Sequence, residues 1–198
     1  PAPELDPDPA PRPAPRVELG VDLSPAFSVV LAPGRIQGLS GGGGELRLLA
    51  RAPIGATAGV GLRLLTRAAG DAGLLRSRVL FAGGYTLRLG EVEVAALAGF
   101  TLEPWRLLGG EAAGERDSPP LLLGALASAS VGYRIQPARR PGLHLRVGGR
   151  LELAGSALLS GQAAELRDAA TDALLVGVGG LELALGLDLA LWFELPAR

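Results

Sequence analysis

Leu181-Glu182-Leu183-Ala184-Leu185-Gly186-Leu187-Asp188-Leu189-Ala190-Leu191-Trp192-Phe193-Glu194-Leu195 alternates with a period of two, and the pattern reaches back to Leu175. Odd positions hold leucine, glycine or phenylalanine, while Glu182, Asp188 and Glu194 all fall on even positions. On a helix turning about 100° per residue, three charges spaced six apart point in three directions. On a strand they share one face. The segment therefore reads as a long strand with one charged and one apolar side.

The same alternation returns upstream, beginning with Val17-Glu18-Leu19-Gly20-Val21-Asp22-Leu23, and gives eight segments: 17–31, 45–53, 57–67, 74–88, 91–103, 121–135, 143–158 and 174–195. They contain 20 charged residues, ten arginines and ten acids, each on the face opposite the main apolar set. The candidate charge ladder runs from Glu18 and Asp22, through Arg47 and Arg51 beside Glu45, Arg63, and Arg76, Arg78 and Arg88. It continues with Glu91 and Glu93, then Arg146, Arg150 and Glu152, and ends on Glu182 and Asp188. Signs alternate coarsely from strand to strand, so neighbouring strands are expected to pair their charges around a closed ring.

Strand length decides which face points outward. Several segments run 13 to 16 residues and the last about 20, whereas a membrane-spanning strand needs about 9–11 and soluble strands average about 5–6. The apolar face carries no charge, as expected where an arginine near the bilayer midplane costs roughly 2–4 kcal/mol. The predicted fold is all-β, an eight-stranded antiparallel up-and-down transmembrane barrel over 17–198 with its charges in the lumen. Phe27, Tyr85, Phe100, Tyr133 and Phe193 are then lipid-interface aromatics, and Phe81 shares their face. Connections 32–44, 68–73, 104–120 and 159–173 emerge at one rim, and the tighter 54–56, 89–90 and 136–142 at the other. Both termini fall on the tight-turn side, which is periplasmic in such barrels. A soluble lipocalin-like ligand-binding barrel, with the faces reversed, is the competing fold.

Residues 17–195 resemble the small bacterial outer-membrane β-barrels of the eight-stranded kind, and are similar in plan to the outer membrane protein A, X and W barrels. The resemblance is one of pattern, with a sparser aromatic girdle: two Trp, two Tyr and four Phe. It implies outer-membrane lipid as the surroundings. An interior able to neutralise itself points to a non-enzymatic anchor or structural subunit of a cell-envelope assembly. The alternative is a narrow channel for small solutes or ions, because the lumen face is rich in small residues such as Gly20, Ser24, Ala26, Ser28, Gly59, Gly61, Ser128 and Ser130.

Residues 1–16 carry seven prolines, at positions 1, 3, 7, 9, 11, 13 and 15. Such a run is an extended polyproline-like spacer of about 3 Å per residue. Together with the rim loops it is the expected contact for envelope protein partners, and Pro11-Arg12-Pro13-Ala14-Pro15-Arg16 loosely resembles ligands of proline-binding grooves.

Other chemistry has little support. The longest uncharged stretch, Ser118 to Tyr133, has 16 residues, short of the roughly 18–20 a spanning helix needs. The chain has no cysteine, which excludes disulfides and thiolate metal sites. Its 19 basic residues balance 20 acids, leaving no excess for a phosphate backbone, so no nucleic-acid partner is expected. Gly38-Leu39-Ser40-Gly41-Gly42 matches a nucleophile elbow only formally, since no helix pattern follows, and Gly41–Gly44 reads as a flexible loop. The single histidine, His144, sits on the charged face and is expected to hydrogen-bond in the lumen. Glu91 and Glu93 read as ladder partners of Arg78 and Arg88 rather than paired catalytic carboxylates. No catalytic residue, cofactor or metal is expected.

Overall fold

The computed structural model describes residues 16–30, 40–69, 72–108, 112–113, 121–140, 142–159, 165–168, 174–177 and 180–195. Eleven strands lie among them: β1 (Glu18–Val30), β2 (Ser40–Arg51), β3 (Ala56–Ala69), β4 (Ala72–Leu89), β5 (Val92–Leu108), β6 (Ala112–Ala113), β7 (Leu121–Ile135), β8 (Leu143–Leu158), β9 (Glu165–Asp168), β10 (Leu174–Gly177) and β11 (Gly180–Glu194). Eight of them close a barrel in the order β1-β11-β8-β7-β5-β4-β3-β2, every pair antiparallel. The seam joins the first strand to the last, from Glu18↔Glu194 to Val30↔Glu182. No helix of the described residues is long and apolar enough to cross a membrane.

Alternation along each strand sends one residue set inward and the other out. On β1, Glu18, Gly20, Asp22, Ser24, Ala26 and Ser28 are buried, while Leu19, Val21, Leu23 and Phe27 are exposed, Leu23 at 65% and Phe27 at 63%. The barrel is thus polar inside and apolar outside, the reverse of a protein folded in water. Closing so few strands demands strong coiling, which glycine permits where backbones meet. A Cβ at Gly99 would overlap the carbonyl oxygen of Phe81, and one at Gly84 that of Ala96, so β4 and β5 bend together through these two positions.

Four sequence expectations are corrected. The segment 174–195 is not one strand: β10 leaves the barrel, and the chain re-enters at Gly180, whose φ of 117° side chains rarely adopt. Alternation persists across that break, so periodicity could not reveal it. The connection 68–73 shrinks to residues 70–71, because β3 and β4 remain paired as far as Ala69↔Ala72. Ser40–Gly44 belongs to β2 rather than a loop, its backbone held by the ladders to β1 and β3. Finally, Glu91 lies in the turn after Gly90 (φ 67°) and is exposed, outside the lumen.

A second sheet, β10-β9-β6, is built from the two longest connections at the rim opposite the tight turns. The Pro-rich segment 1–15 and the elbow residues Gly38 and Leu39 lie outside the described residues.

Candidate functional site

The inward face of the barrel assembles eight arginines and eight carboxylates into four layers, each with two of either sign. At the tight-turn mouth Arg51 contacts Glu18 and Glu93 at 2.9 Å, and Arg88 contacts Glu93 at 3.0 Å and also Glu18. Next along the axis, Arg150 reaches Asp22 at 3.1 Å and Asp188 at 3.9 Å, and Arg146 pairs with Asp188. In the third layer Arg63 grips Glu152 with two bonds, 2.6 and 2.7 Å, while Arg47 reaches the same carboxylate at 3.0 Å. Glu45 binds both of these arginines. In the fourth, Arg76 and Arg78 share Glu103 and Glu182.

Contacts also run between layers: Arg146 to Glu93 at 3.5 Å, Arg150 to Glu45 at 3.1 Å and Arg78 to Glu152 at 3.5 Å. All sixteen side chains are buried except Arg88, which is about a third exposed at the mouth. Charge-assisted, partly bidentate bonds of this kind are the strong ones, and only complete pairing makes so many buried charges tolerable.

Neighbour pairing alone does not account for this. Arg63 lies opposite Arg78, Arg134 opposite Arg146, and Glu18 opposite Glu194, so several adjacent strands present like charges. Neutralisation comes partly from across the lumen, as with Arg63 of β3 and Glu152 of β8, or Arg76 of β4 and Glu182 of β11. The expected ring ladder is in fact a web crossing the barrel. Two members absent from the candidate ladder, Glu45 and Glu103, complete it; both already lie on the charged face by parity, so the signal was present.

Small lumen residues do not leave space. A Cβ at Gly20 would stand 2.7 Å from the Trp192 ring, one at Gly61 2.8 Å from Arg47 Cγ, and one at Gly132 2.8 Å from Arg146 Nε. Each glycine is the seat of a large side chain. Trp192 carries the Arg51 guanidinium 4.1 Å from its centroid on the turn side, and Trp105 carries Arg76 at 4.9 Å toward the other end. Leu80, Ala82, Leu126 and Ala154, with Leu97, form an apolar cluster on the inner wall of β4, β5, β7 and β8. A cavity of about 20 Å³ bordered by Asp22, Glu93, Arg146 and Trp192 is room for about one water.

His144 is fully buried and stacks on Trp192 at 6.2 Å, but neither ring nitrogen has a hydrogen-bond partner, contrary to expectation. Its Nε2 stands 4.0 Å from Glu93. Among the described residues, Glu18, His144 and Glu194 are one group with ligand atoms close enough, within 4.8 Å, to surround a metal ion. Arg51 and Arg88 already hold Glu18, and Arg16 and Arg134 hold Glu194. Four guanidiniums against these two carboxylates and Glu93 leave the locality positive, a poor setting for a cation.

On the outer wall, Phe27, Tyr85, Phe100, Tyr133 and Phe193 are all exposed, and Phe81 stacks on Phe100 with centroids 5.3 Å apart. The two tryptophans face inward instead.

No protein-family model matches the chain, and no curated protein matches it. Among solved structures, Neisserial surface protein A superposes with a TM-score of 0.54 at 15% identity, over 90% of this chain and 97% of that one. Ail, the attachment invasion locus protein of Yersinia pestis, covers 90% and 98% at 11% identity with a TM-score of 0.49. The first of these likenesses supports the fold: a closed eight-stranded barrel like that of Neisserial surface protein A.

Proposed function

We propose that the chain is a bacterial outer-membrane barrel closed by its own side chains, serving as a non-enzymatic anchor or structural subunit of a cell-envelope assembly. The apolar outer wall supports the membrane setting, because leucines and aromatics this exposed would make the protein insoluble in water but match a bilayer. The observation that carries the closed-anchor reading is the stack of four neutral Arg–carboxylate layers. An ion entering the lumen would meet buried bidentate pairs such as Arg63–Glu152.

In this reading both termini and the Pro-rich segment lie on the periplasmic side, and partners are met by that segment and by the rim loops, including the β10-β9-β6 sheet. Two of the small residues that suggested a channel, Gly20 and Gly61, seat Trp192 and Arg47, which supports the closed reading over an open one.

The test is planar-bilayer recording of the refolded protein, with and without residues 1–15. Insertion without current in both forms is the expected result. Discrete steps from the full chain would replace the anchor with a channel, and steps only after truncation would make the segment a plug. A chain that refuses the bilayer would overturn the membrane reading itself.

A further inference from the structure

At the tight-turn mouth the three turns differ in chemistry. Ala52-Pro53-Ile54-Gly55 is apolar, Gly90-Glu91 carries one acid, and Gln136-Pro137-Ala138-Arg139-Arg140-Pro141-Gly142 carries adjacent arginines between two prolines. The described residues of this third turn are held by backbone hydrogen bonds. Arg140 N–H donates to Pro137 O at 3.2 Å, Leu143 N–H to Arg140 O at 3.2 Å, and Glu194 N–H to Gly142 O at 2.7 Å, while Gly142 holds a φ of 90°. Arg139 and Arg140 are exposed, and among the described residues their guanidiniums have no ion-pair or hydrogen-bond partner.

Their surroundings increase the imbalance. Arg16 and Arg134 share the single carboxylate of Glu194, so among the described residues Arg16, Arg134, Arg139 and Arg140 face only Glu194 and the exposed Glu91 outside the neutral layers. The lumen beneath is neutral layer by layer and contributes no compensating charge. Immediately beside the turn the outer wall is apolar and exposed, with Tyr133, Ile135, Phe193 and Leu195. Guanidiniums placed just past such a band stand at headgroup depth, where each basic residue adds to the attraction of anionic lipid.

We propose that the exposed Arg139 and Arg140 form a binding site for the phosphate of an anionic phospholipid in the leaflet facing this mouth. The inference rests on the membrane reading above. Arg139 and Arg140 take the headgroup, Arg134 stands behind them at the strand end, and the acyl chains lie along Tyr133, Ile135 and Phe193. A zwitterionic lipid offers the same phosphate with its charge cancelled, so selectivity for net negative charge is the signature.

The experiment refolds the full chain into vesicles of equal parts phosphatidylcholine and phosphatidylglycerol, then identifies the lipid retained after mild detergent extraction by native mass spectrometry. Enrichment of phosphatidylglycerol is expected, falling in R139Q/R140Q by about fivefold per arginine. R106Q, at the exposed end of β5 on the opposite rim, should retain the enrichment. Lipid retained in bulk proportion, or an unchanged R139Q/R140Q, would overturn the site. So would equal loss in R106Q, which would mean a diffuse charge effect. A heat-dependent gel shift and protease protection report insertion separately: an inserted barrel without lipid selectivity sinks only this inference, whereas a chain that never inserts sinks both readings.

Discussion

Glu152 shows how the lumen is held at the level of a single side chain. It receives two bonds from Arg63 and one from Arg47, with Arg78 at 3.5 Å, and is almost wholly enclosed. Removing one member of a buried ionic group leaves its partners charged and uncompensated, a loss of roughly 3–5 kcal/mol. Glu152→Gln should therefore lower the urea midpoint of the refolded barrel sharply. Arg16→Gln is the contrast, because Arg16 is about half exposed and among the described residues meets only Glu194, at 3.1 Å; pairs of that kind contribute about 0–1 kcal/mol. Equal midpoint shifts for the two variants would mean the buried web is no stronger than a surface contact. The glycine seats give a second prediction at this scale. Gly20→Val would drive the Trp192 ring from beneath Arg51, so tryptophan emission should shift and the unfolding free energy fall by about 1–3 kcal/mol, the usual range for overpacking.

Among the strands, glycine has two different jobs. Gly99 admits the carbonyl oxygen of Phe81 into the space a Cβ would fill, whereas at Gly149 a Cβ would meet nothing within 4 Å. Gly99→Ala should impair folding into vesicles, followed by the gel shift of the folded form, while Gly149→Ala should fold like the parent chain. Similar yields from both would show that the β4–β5 bend tolerates a side chain. Parity puts Gly99 on the lumen face and Gly149 on the outer one, but sequence alone does not show that a neighbouring carbonyl fills the Cβ space at Gly99 and not at Gly149. What alternation does reveal is which face a residue occupies: Glu18, Arg63 and Asp188 lie inside and Phe27 and Tyr133 outside, as period two requires. Parity also carried Glu45 and Trp192 to the lumen without extra information. It was blind to strand ends. Gly180 interrupts the last segment without disturbing its alternation, and Glu91 keeps the parity of Glu93 while sitting in a turn. The partners of each charge were hidden for a related reason: a face is local, but Arg63 and Glu152 are 89 residues apart and meet only when the ring closes.

For the whole molecule the closed-anchor reading implies closure in series. Each layer is neutral and draws side chains from several strands, so on that reading blocking the lumen does not depend on any one of them. Removing the third layer entirely, with Glu45→Ala, Arg47→Ala, Arg63→Ala and Glu152→Ala together, deletes two charges of each sign and leaves the net charge unchanged. The gap would fill with water, since neighbouring Arg78 and Arg150 each lose one contact there, at 3.5 and 3.1 Å, but keep Glu103, Glu182 and Asp22. Three layers, the Leu80–Leu126 cluster and both tryptophans would still line the lumen. The quadruple variant, once shown by the gel shift to be inserted, should remain silent in a planar bilayer while losing stability. Discrete conductance steps from it would place closure in that one layer, and the barrel would then be a gated pore whose gate lies between Arg63 and Glu152.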